Sequence, residues 1–223
     1  MQDNVKVAMF DFCETLANFQ TADEFVRYVR EQTKDKTMLR KERIRLFLRK
    51  YKVETLATLF LRHLSFNKRL VLWQLKGYSE HQIENYAEEY YNKIVRPNLI
   101  NETIEELKKL QSDGYEICIL SAGYEIYLKH FCREFNIPLR NLIAVKIKFV
   151  AGRCKGCFEG GDRLWDKTEK LDERYDRDLV ESIAYSDSKT DLPLLKWAKV
   201  GVVVCRKDKK SWAKEYNFKE ILW

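Results

Sequence analysis

The stretch VAMFDFCETLANF, Val7 to Phe19, decides the fold class of this chain. Residues 5 to 12 carry mostly apolar side chains at both parities instead of at alternate positions, which predicts a parallel strand buried on both faces. The apolar run stops at a carboxylate, Asp11, where the strand is expected to end. A buried strand that ends in an acidic residue is typical of an α/β protein with a polar site at one edge of its sheet.

Three later segments also read as buried strands: YEICILSAG (115 to 123), SIAYSDS (182 to 188) and VGVVVC (200 to 205). Helical patterns separate them, such as the amphipathic NETIEELKKLQSDG of residues 101 to 114. Strands that alternate with helices predict βαβ crossovers and a parallel sheet.

Polar residues stand at the expected ends of three of these strands. Asp11, Ser121 and Asp187 follow the runs VAMF, ICIL and IAYS, and Asp191 lies four residues beyond Asp187. Because the carboxyl ends of parallel strands share one edge of a sheet, we expect these side chains to meet in a single site.

A segment of different character separates the first two strands. Its apolar residues recur at spacings of three and four, which predicts an all-helical insert of residues 20 to 96 within a core domain of residues 1 to 19 and 97 to 223. Residues 21 to 98 hold 17 Lys and Arg against 10 Asp and Glu, so they carry the whole net charge of +7. The most basic run, 34 to 52, is either a solvated helix face or an electrostatic collar for anionic ligands.

Helix ends in the chain have recognisable signals. Ser79 is the expected N-cap of the last helix of the insert, and Gly77 ends the helix before it. Asn101 and Gly114 are expected to start and stop the helix between them.

Composition excludes several classes. No apolar stretch reaches the roughly 18 residues of a membrane span, and MQDNVKVAMF lacks the features of a signal peptide, so we expect a cytoplasmic protein. All six cysteines are expected to be reduced. Cys154 and Cys157 form a CxxC, but no second CxxC or nearby histidine completes a zinc site, which favours a turn between short strands.

The strand ends carry motifs that resemble those of the haloacid dehalogenase-like (HAD) superfamily, specifically its phosphoserine-phosphatase-like branch. DFCETL stands at the first motif, usually DxDxT, and LSAG stands at the second. KTEKL stands at the third, and YSDSKTDLPLL stands at the fourth, usually GDSxxDxxLL. The resemblance implies a Rossmann-like α/β core in which the helical insert serves as a cap.

The resemblance also implies a magnesium-dependent phosphatase that hydrolyses phosphate monoesters through an aspartyl-phosphate on Asp11. It implies that magnesium is held by Asp11, Asp187 and the backbone carbonyl of Cys13, with support from Asp191. Hard oxygen ligands suit that ion. Thr15 would brace the loop.

Three further residues would hold the transferred phosphoryl group. The resemblance assigns Ser121 and Ala122 of the second motif and Lys167 of the third to this task, the lysine also countering the charge of the intermediate. Lys155 and Lys170 are neighbours that stay open as alternatives to Lys167.

The first motif departs from the family pattern at Cys13, where the family has the aspartate that protonates the leaving group and later activates water. A thiol is mostly neutral at pH 7 and is a poor substitute. Three outcomes are open: Glu14 supplies the carboxyl through a bent loop, the enzyme is slow, or the protein binds phosphate compounds without turnover. We favour a slow phosphatase over the binding protein.

A second departure bears on the substrate. Gln20 occupies the position at which phosphoserine phosphatases have a glutamate that pairs with the substrate ammonium, so phosphoserine is disfavoured. A basic insert indicates instead a small, more anionic phosphorylated metabolite. The basic residues behind this inference include Arg40, Arg43, Arg45 and Arg49.

The basic insert raises one rival. Residues 34 to 75 combine cations with apolar residues, so association with a membrane surface is an alternative, although packing within the insert accounts for the apolar positions better. We expect no nucleic-acid partner, and the sequence carries no signal of oligomeric state.

Overall fold

The structure, a computed structural model, describes residues 5–51, 66–160, 167–208 and 210–223. Its strands are β1 (Lys6–Phe10), β2 (Glu116–Tyr124), β3 (Leu142–Val145), β4 (Ile147–Val150), β5 (Arg153–Phe158), β6 (Glu181–Ser186), β7 (Val200–Cys205) and β8 (Lys219–Leu222). Six of them form one sheet in the order β3, β2, β1, β6, β7, β8, and every neighbouring pair is parallel. The remaining two, β4 and β5, form an antiparallel hairpin. The predicted parallel α/β fold is confirmed.

Within the described part of the segment 20–96, four helices follow β1: α1 (Thr21–Thr33), α2 (Lys36–Lys50), α3 (Phe66–Trp73) and α4 (Glu80–Tyr90). A π-helical turn, Tyr91–Val95, continues α4. The sheet is flanked by α5 (Asn101–Ser112), α6 (Glu125–Glu134), α7 (Glu169–Asp172), α8 (Leu192–Trp197) and α9 (Ser211–Glu215). Every helix in the described ranges is too short or too polar to cross a membrane.

Helix ends follow the local sequence with two exceptions. Ser79 is the N-cap of α4, as predicted, in a capping box with Gln82, and Gly114 directly follows the C-cap of α5 with a φ of 82°. Gly77 was expected to end α3, but α3 ends at Trp73, and Gly77, with a φ of 101°, donates its N–H to the carbonyl of Cys154 at 2.9 Å. Asn101 was expected as an N-cap, but it is the first residue of α5, and Ile100 holds the cap position without a side-chain hydrogen bond. Residues 52 to 65 of the predicted all-helical insert lie outside the described residues.

The core lies on both faces of the central strand β1. Ala8 and Phe10 face one cluster, in which Phe10 stacks on Tyr185 with ring centroids 4.3 Å apart. Val7 and Met9 face a second cluster on the other side of the sheet. Burial of both faces explains why this strand reads as a continuous apolar run instead of an alternating one.

Aromatic packing joins the helical insert to the core. Phe25 of α1 contacts the rings of Tyr90 in α4 and Tyr127 in α6, each at a centroid distance of 5.3 Å. All three side chains are fully buried. Burying a large apolar side chain contributes about 1.5 to 3 kcal/mol, so this cluster fixes the insert against the helix that follows β2.

The CxxC does not form the predicted turn. Cys154 and Cys157 both lie in β5, where Cys154 is buried and Cys157 is exposed. Residues an odd number apart in a strand point to opposite faces, so the two thiols cannot share a ligand there. All six cysteines are free, as predicted.

Candidate active site

Asp11 lies at the carboxyl end of the central strand. Its backbone N–H donates to the carbonyl of Tyr185 in β6 at 2.9 Å, which ties the two strand ends together. The following turn closes on Phe12, whose carbonyl accepts from Leu16 and Ala17, both at 2.9 Å. Asp11 is only 7% exposed, so its carboxylate is held in a largely desolvated place at the edge of the sheet.

Lys167 bridges two carboxylates at this edge. Its Nζ lies 2.7 Å from Asp11 Oδ1 and 2.7 Å from Asp191 Oδ2, and all three side chains are largely buried. Burial disfavours the ammonium, but the two carboxylates outweigh burial and raise the pKa of Lys167. Ser186 also donates to Asp191 Oδ2, at 2.7 Å. The lysine is therefore a charged group held firmly against Asp11.

Asp187 follows β6 and faces a second lysine. Lys210 Nζ lies 3.5 Å from Asp187 Oδ2 and donates to the backbone carbonyl of Asp187. Burial, and next the charge of Asp11, raise the pKa of Asp187 to about 7, and Lys210 opposes the shift. The Asp187 N–H donates to Thr15 Oγ1 at 3.0 Å, a contact that agrees with a bracing role for Thr15.

A cavity of about 290 Å³ opens over these groups. Its lining contains seven of the predicted site residues: Asp11, Cys13, Gln20, Ala122, Lys167, Asp187 and Asp191. It also contains Glu14, the alternative carboxylate, and three residues that the sequence did not single out: Lys68, Ser188 and Thr190. Lys68 comes from α3, so the helical insert contributes to the wall.

Ser121 is the predicted site residue that does not line this cavity. Its side chain is 4% exposed and accepts a hydrogen bond from the Gly123 N–H at 2.9 Å. The pairing of β2 with β3 shifts register between Leu120 and Tyr124, so the second motif sits in an irregular stretch of strand. Ala122 lines the cavity from this stretch.

Geometry distinguishes the three candidate lysines. Lys167 contacts Asp11, whereas Lys155 and Lys170 are exposed and do not line the cavity. The third motif had favoured Lys167, and its contact with Asp11 agrees with that choice over the two alternatives.

The thiol of Cys13 points toward the helical insert. Its Sγ lies 3.2 Å from Thr21 Oγ1, which in turn lies 2.7 Å from the hydroxyl of Tyr127. Burial, and next the charge of Asp11, raise the pKa of Cys13 to about 11. The side chain is therefore a neutral thiol at pH 7 and does not replace a carboxylate as a base.

Glu14 lies in the bent loop that the sequence required for it. Its φ of 56° is left-handed, so the chain turns sharply after Cys13 instead of continuing as a strand. Glu14 is exposed and lines the same cavity as Asp11. Adjacent residues of a strand point to opposite faces of the sheet, but this turn is not a strand, so that rule does not keep Glu14 away from the cavity.

The donor chemistry at the cavity fits a divalent cation. Four carboxylates and two lysines line it, which is a formal charge of −2 when all six side chains are ionised. No group of three or more His, Cys, Asp or Glu side chains within the described residues is arranged as a metal site. The expected ligands are only two carboxylates, Asp11 and Asp187, and the backbone carbonyl of Cys13, so they do not require such a group.

The arginines of the insert that the structure describes do not line this cavity. Arg45 donates to both oxygens of Glu42, each at 2.7 Å, and to Asn67 at 3.0 Å, so its charge is used within the insert. Lys68 is the basic residue of the insert that the cavity lining includes, among the residues described. No feature of the sequence around Lys68 predicted that it lines the cavity.

Comparison with known proteins agrees with the motifs. The model of the haloacid dehalogenase-like hydrolase family matches residues 8–196. A phosphoserine phosphatase from Methanocaldococcus jannaschii is 24% identical over 211 residues, 93% of this chain and 89% of that protein. The relatedness agrees with the predicted branch of the superfamily.

Solved structures share the fold. A protein of unknown function from Bordetella pertussis Tohama I aligns with a TM-score of 0.73 at 18% identity, covering 98% of each chain. A phosphoserine phosphohydrolase-like protein from Francisella tularensis subsp. tularensis SCHU S4 aligns with a TM-score of 0.63 at 20% identity, over 97% of this chain and 95% of that one. Because the family match runs from within β1 to beyond Asp191 and so includes every strand end that lines the cavity, the chain belongs to the haloacid dehalogenase-like hydrolases.

Proposed function

We propose that this chain is a magnesium-dependent phosphatase that hydrolyses phosphate monoesters through an aspartyl-phosphate on Asp11. The observation that carries the proposal is the position of Lys167, 2.7 Å from both Asp11 Oδ1 and Asp191 Oδ2 beside a polar cavity. Burial raises the pKa of Asp11, and a cation held against this nucleophile opposes that rise and stabilises charge on the phosphoryl oxygens.

The proposed reaction has two displacements at phosphorus. In the first, Asp11 Oδ2 attacks phosphorus, the bond to the alcohol oxygen breaks, and that oxygen takes up a proton. In the second, water attacks the same phosphorus, loses a proton, and releases inorganic phosphate and the Asp11 carboxylate. Lys167 engages Oδ1 and so leaves Oδ2 as the attacking atom.

Magnesium, when bound, would supply positive charge for the phosphoryl oxygens and orient them for in-line attack. We assign its ligands to Asp11, Asp187 and the backbone carbonyl of Cys13. Asp191 would act through Lys167, because its Oδ2 already accepts from Lys167 and from Ser186. Ala122 and Ser121 would hold the phosphoryl group from the irregular end of β2, Ala122 through its backbone.

The leaving-group side is where this chain differs from its family. Cys13 is neutral at pH 7, and a positioned acid or base is worth about 10² to 10⁴ in rate. We therefore propose a slow enzyme, with Glu14 as the carboxylate available from the same cavity.

We also propose that residues 20 to 96 act as a cap over a core of residues 1 to 19 and 97 to 223. Gln20 and Lys68 line the cavity from that segment, one with a neutral amide and one with a cation. The pair favours a small anionic phosphorylated metabolite over a substrate whose ammonium needs a carboxylate partner.

The proposal is tested with purified protein, magnesium and an aryl phosphate. We expect phosphate release that Asp11→Asn abolishes, that a matched surface change, Asp113→Asn, leaves intact, and that a chelator removes and added magnesium restores. With a substrate radiolabelled in its phosphoryl group, acid quenching during turnover should leave label bound covalently to the wild type but not to Asp11→Asn. Equal phosphate release by the wild type and Asp11→Asn would contradict the proposal.

A second candidate function is binding of a phosphorylated ligand without turnover. The neutral thiol of Cys13 favours it, because neither step then has its usual proton donor or acceptor at that position. This candidate predicts saturable binding of a phosphorylated ligand by the wild type, no phosphate release, and release only after Cys13→Asp.

A further inference from the structure

A second cavity, of about 240 Å³, lies beside the catalytic one. The two share Glu14 and Asp187, and the second is also lined by Arg206, Lys210 and Trp223. Arg206 directly follows β7, so this cavity opens at the same carboxyl edge of the sheet, one strand further along. Ligands of open α/β sheets bind at this edge.

Two hydrogen-bond donors in the second cavity have no acceptor within the described ranges. Trp223 Nε1 is buried without a hydrogen-bond partner. The Arg206 guanidinium lies 5.2 Å from the centre of the Trp223 ring, and among the described residues its side chain makes no hydrogen bond or ion pair. Indole and guanidinium nitrogens donate and never accept, so the natural complement of this pair is a group with several acceptor oxygens.

The backbone holds the pair in place. The N–H of Trp223 donates to the carbonyl of Cys205 at 3.1 Å, and the N–H of Lys207 donates to the carbonyl of Trp223 at 3.0 Å. The Trp223 ring also packs against the main apolar cluster. These contacts keep the indole beneath Arg206 before any ligand arrives, which lowers the ordering cost of binding.

The acidic residues of the cavity are already engaged or solvated. Asp187 is paired with Lys210, at 3.5 Å through Oδ2 and also through its backbone carbonyl. Glu14 is exposed to solvent. The hydrogen-bond donors without an acceptor in the described structure are thus the guanidinium and the indole N–H, and a guanidinium binds carboxylate or phosphate oxygens in a fork geometry.

We propose that the second cavity binds an oxyanion, a carboxylate or phosphate group, on the Arg206 guanidinium and the Trp223 indole N–H. Two sources share this chemistry. The oxyanion belongs either to a second anionic group of the substrate, which rests on the function proposed above, or to a separate small anion that binds next to the active site.

Binding itself is tested without turnover, by calorimetric titration of the full chain with succinate in magnesium buffer. We expect the affinity to fall at least about tenfold in Arg206→Gln and in Trp223→Phe, and less in Arg206→Lys, because a hydrogen bond to a charged group is lost or weakened. The matched control, Lys207→Gln, removes one positive charge from the adjacent exposed residue and should change the affinity less than about twofold. Absence of succinate binding by the wild type, or equal binding by Arg206→Gln, overturns the proposal.

A kinetic arm distinguishes the two sources. If the oxyanion is part of the substrate, Arg206→Gln raises KM for a bisphosphate substrate but not for a monophosphate that lacks the second group. If it is a separate anion, succinate binding depends on Arg206 while the two KM values change equally or not at all. If no phosphomonoester is turned over, the proposed function fails. The succinate titration still tests oxyanion binding in the second cavity, because it does not depend on turnover.

Discussion

Restoring a carboxylate at Cys13 should convert this chain into a faster phosphatase. The Cys13 thiol has its pKa raised to about 11 by burial and by the charge of Asp11, so about one molecule in 10⁴ carries a thiolate at pH 7. As an acid the thiol is also poorly matched to the working pH. In Cys13→Asp the same surroundings would raise the carboxyl pKa toward neutrality, where a group can both give and take a proton.

The expected gain is about 10² to 10⁴ in rate, or about 3 to 5 kcal/mol of transition-state free energy. It should be larger for an alkyl phosphate than for an aryl phosphate in kcat/KM, because an alkoxide leaves poorly without a proton and a phenolate does not need one. The assay is kcat/KM for both substrates at pH 7 with magnesium.

Two further variants make the test specific. Cys13→Ser replaces the thiol by another neutral group and should give no comparable gain. Glu14→Gln should slow the wild type if Glu14 supplies the proton, and should have little effect once Cys13→Asp is present. A Cys13→Asp protein with wild-type unfolding behaviour and no increase for the alkyl phosphate would refute the reasoning.

Three other changes probe the site. Lys167→Gln should lower kcat about 10²- to 10³-fold through lost electrostatic stabilisation, while exposed Lys170→Gln leaves it unchanged in the same assay; equal effects would show that position does not matter. Asp187 has a pKa near 7 when folded against an ordinary 3.8, so the folded state holds the extra proton between these values and metal-free stability should fall as pH rises through that window. Urea unfolding in chelator at pH 4.5 and 8 should show this fall in unfolding free energy in the wild type and a smaller fall in Asp187→Asn. Equal falls in the two proteins contradict the prediction. Thr21→Val leaves the buried Tyr127 hydroxyl without its partner and should cost about 1 to 3 kcal/mol of unfolding free energy, and the double change with Tyr127→Phe should cost less than the sum of the two single changes.

The residues that the sequence located well are those whose local surroundings carry the signal. Asp11 and Asp187 each end a strand whose apolar run is legible without knowledge of the rest of the chain. Ser79 and Gly114 could be predicted because helix caps depend on a few adjacent residues. Asn101 shows the limit of such reading, since a favourable cap residue occupies the first position of the helix instead.

The sequence predicted poorly the residues whose position depends on contacts with distant parts of the chain. Cys154 and Cys157 looked like a turn because local spacing does not reveal that both belong to one strand of a hairpin. The basic run of the insert left a solvated helix face and an electrostatic collar open; in the structure Arg45 is paired with Glu42, and Lys68 lines the cavity.

The sequence by itself determined the parallel α/β core, because a strand buried on both faces is apolar at nearly every position. It also predicted that Asp11 and Asp187 meet, because the carboxyl ends of parallel strands share one edge of the sheet. Only the tertiary structure decided which lysine contacts Asp11, where the Cys13 thiol points, and that Arg206 lies over Trp223. Those facts depend on distances between segments far apart in the chain. Such distances are set by how the whole core packs and leave no local trace.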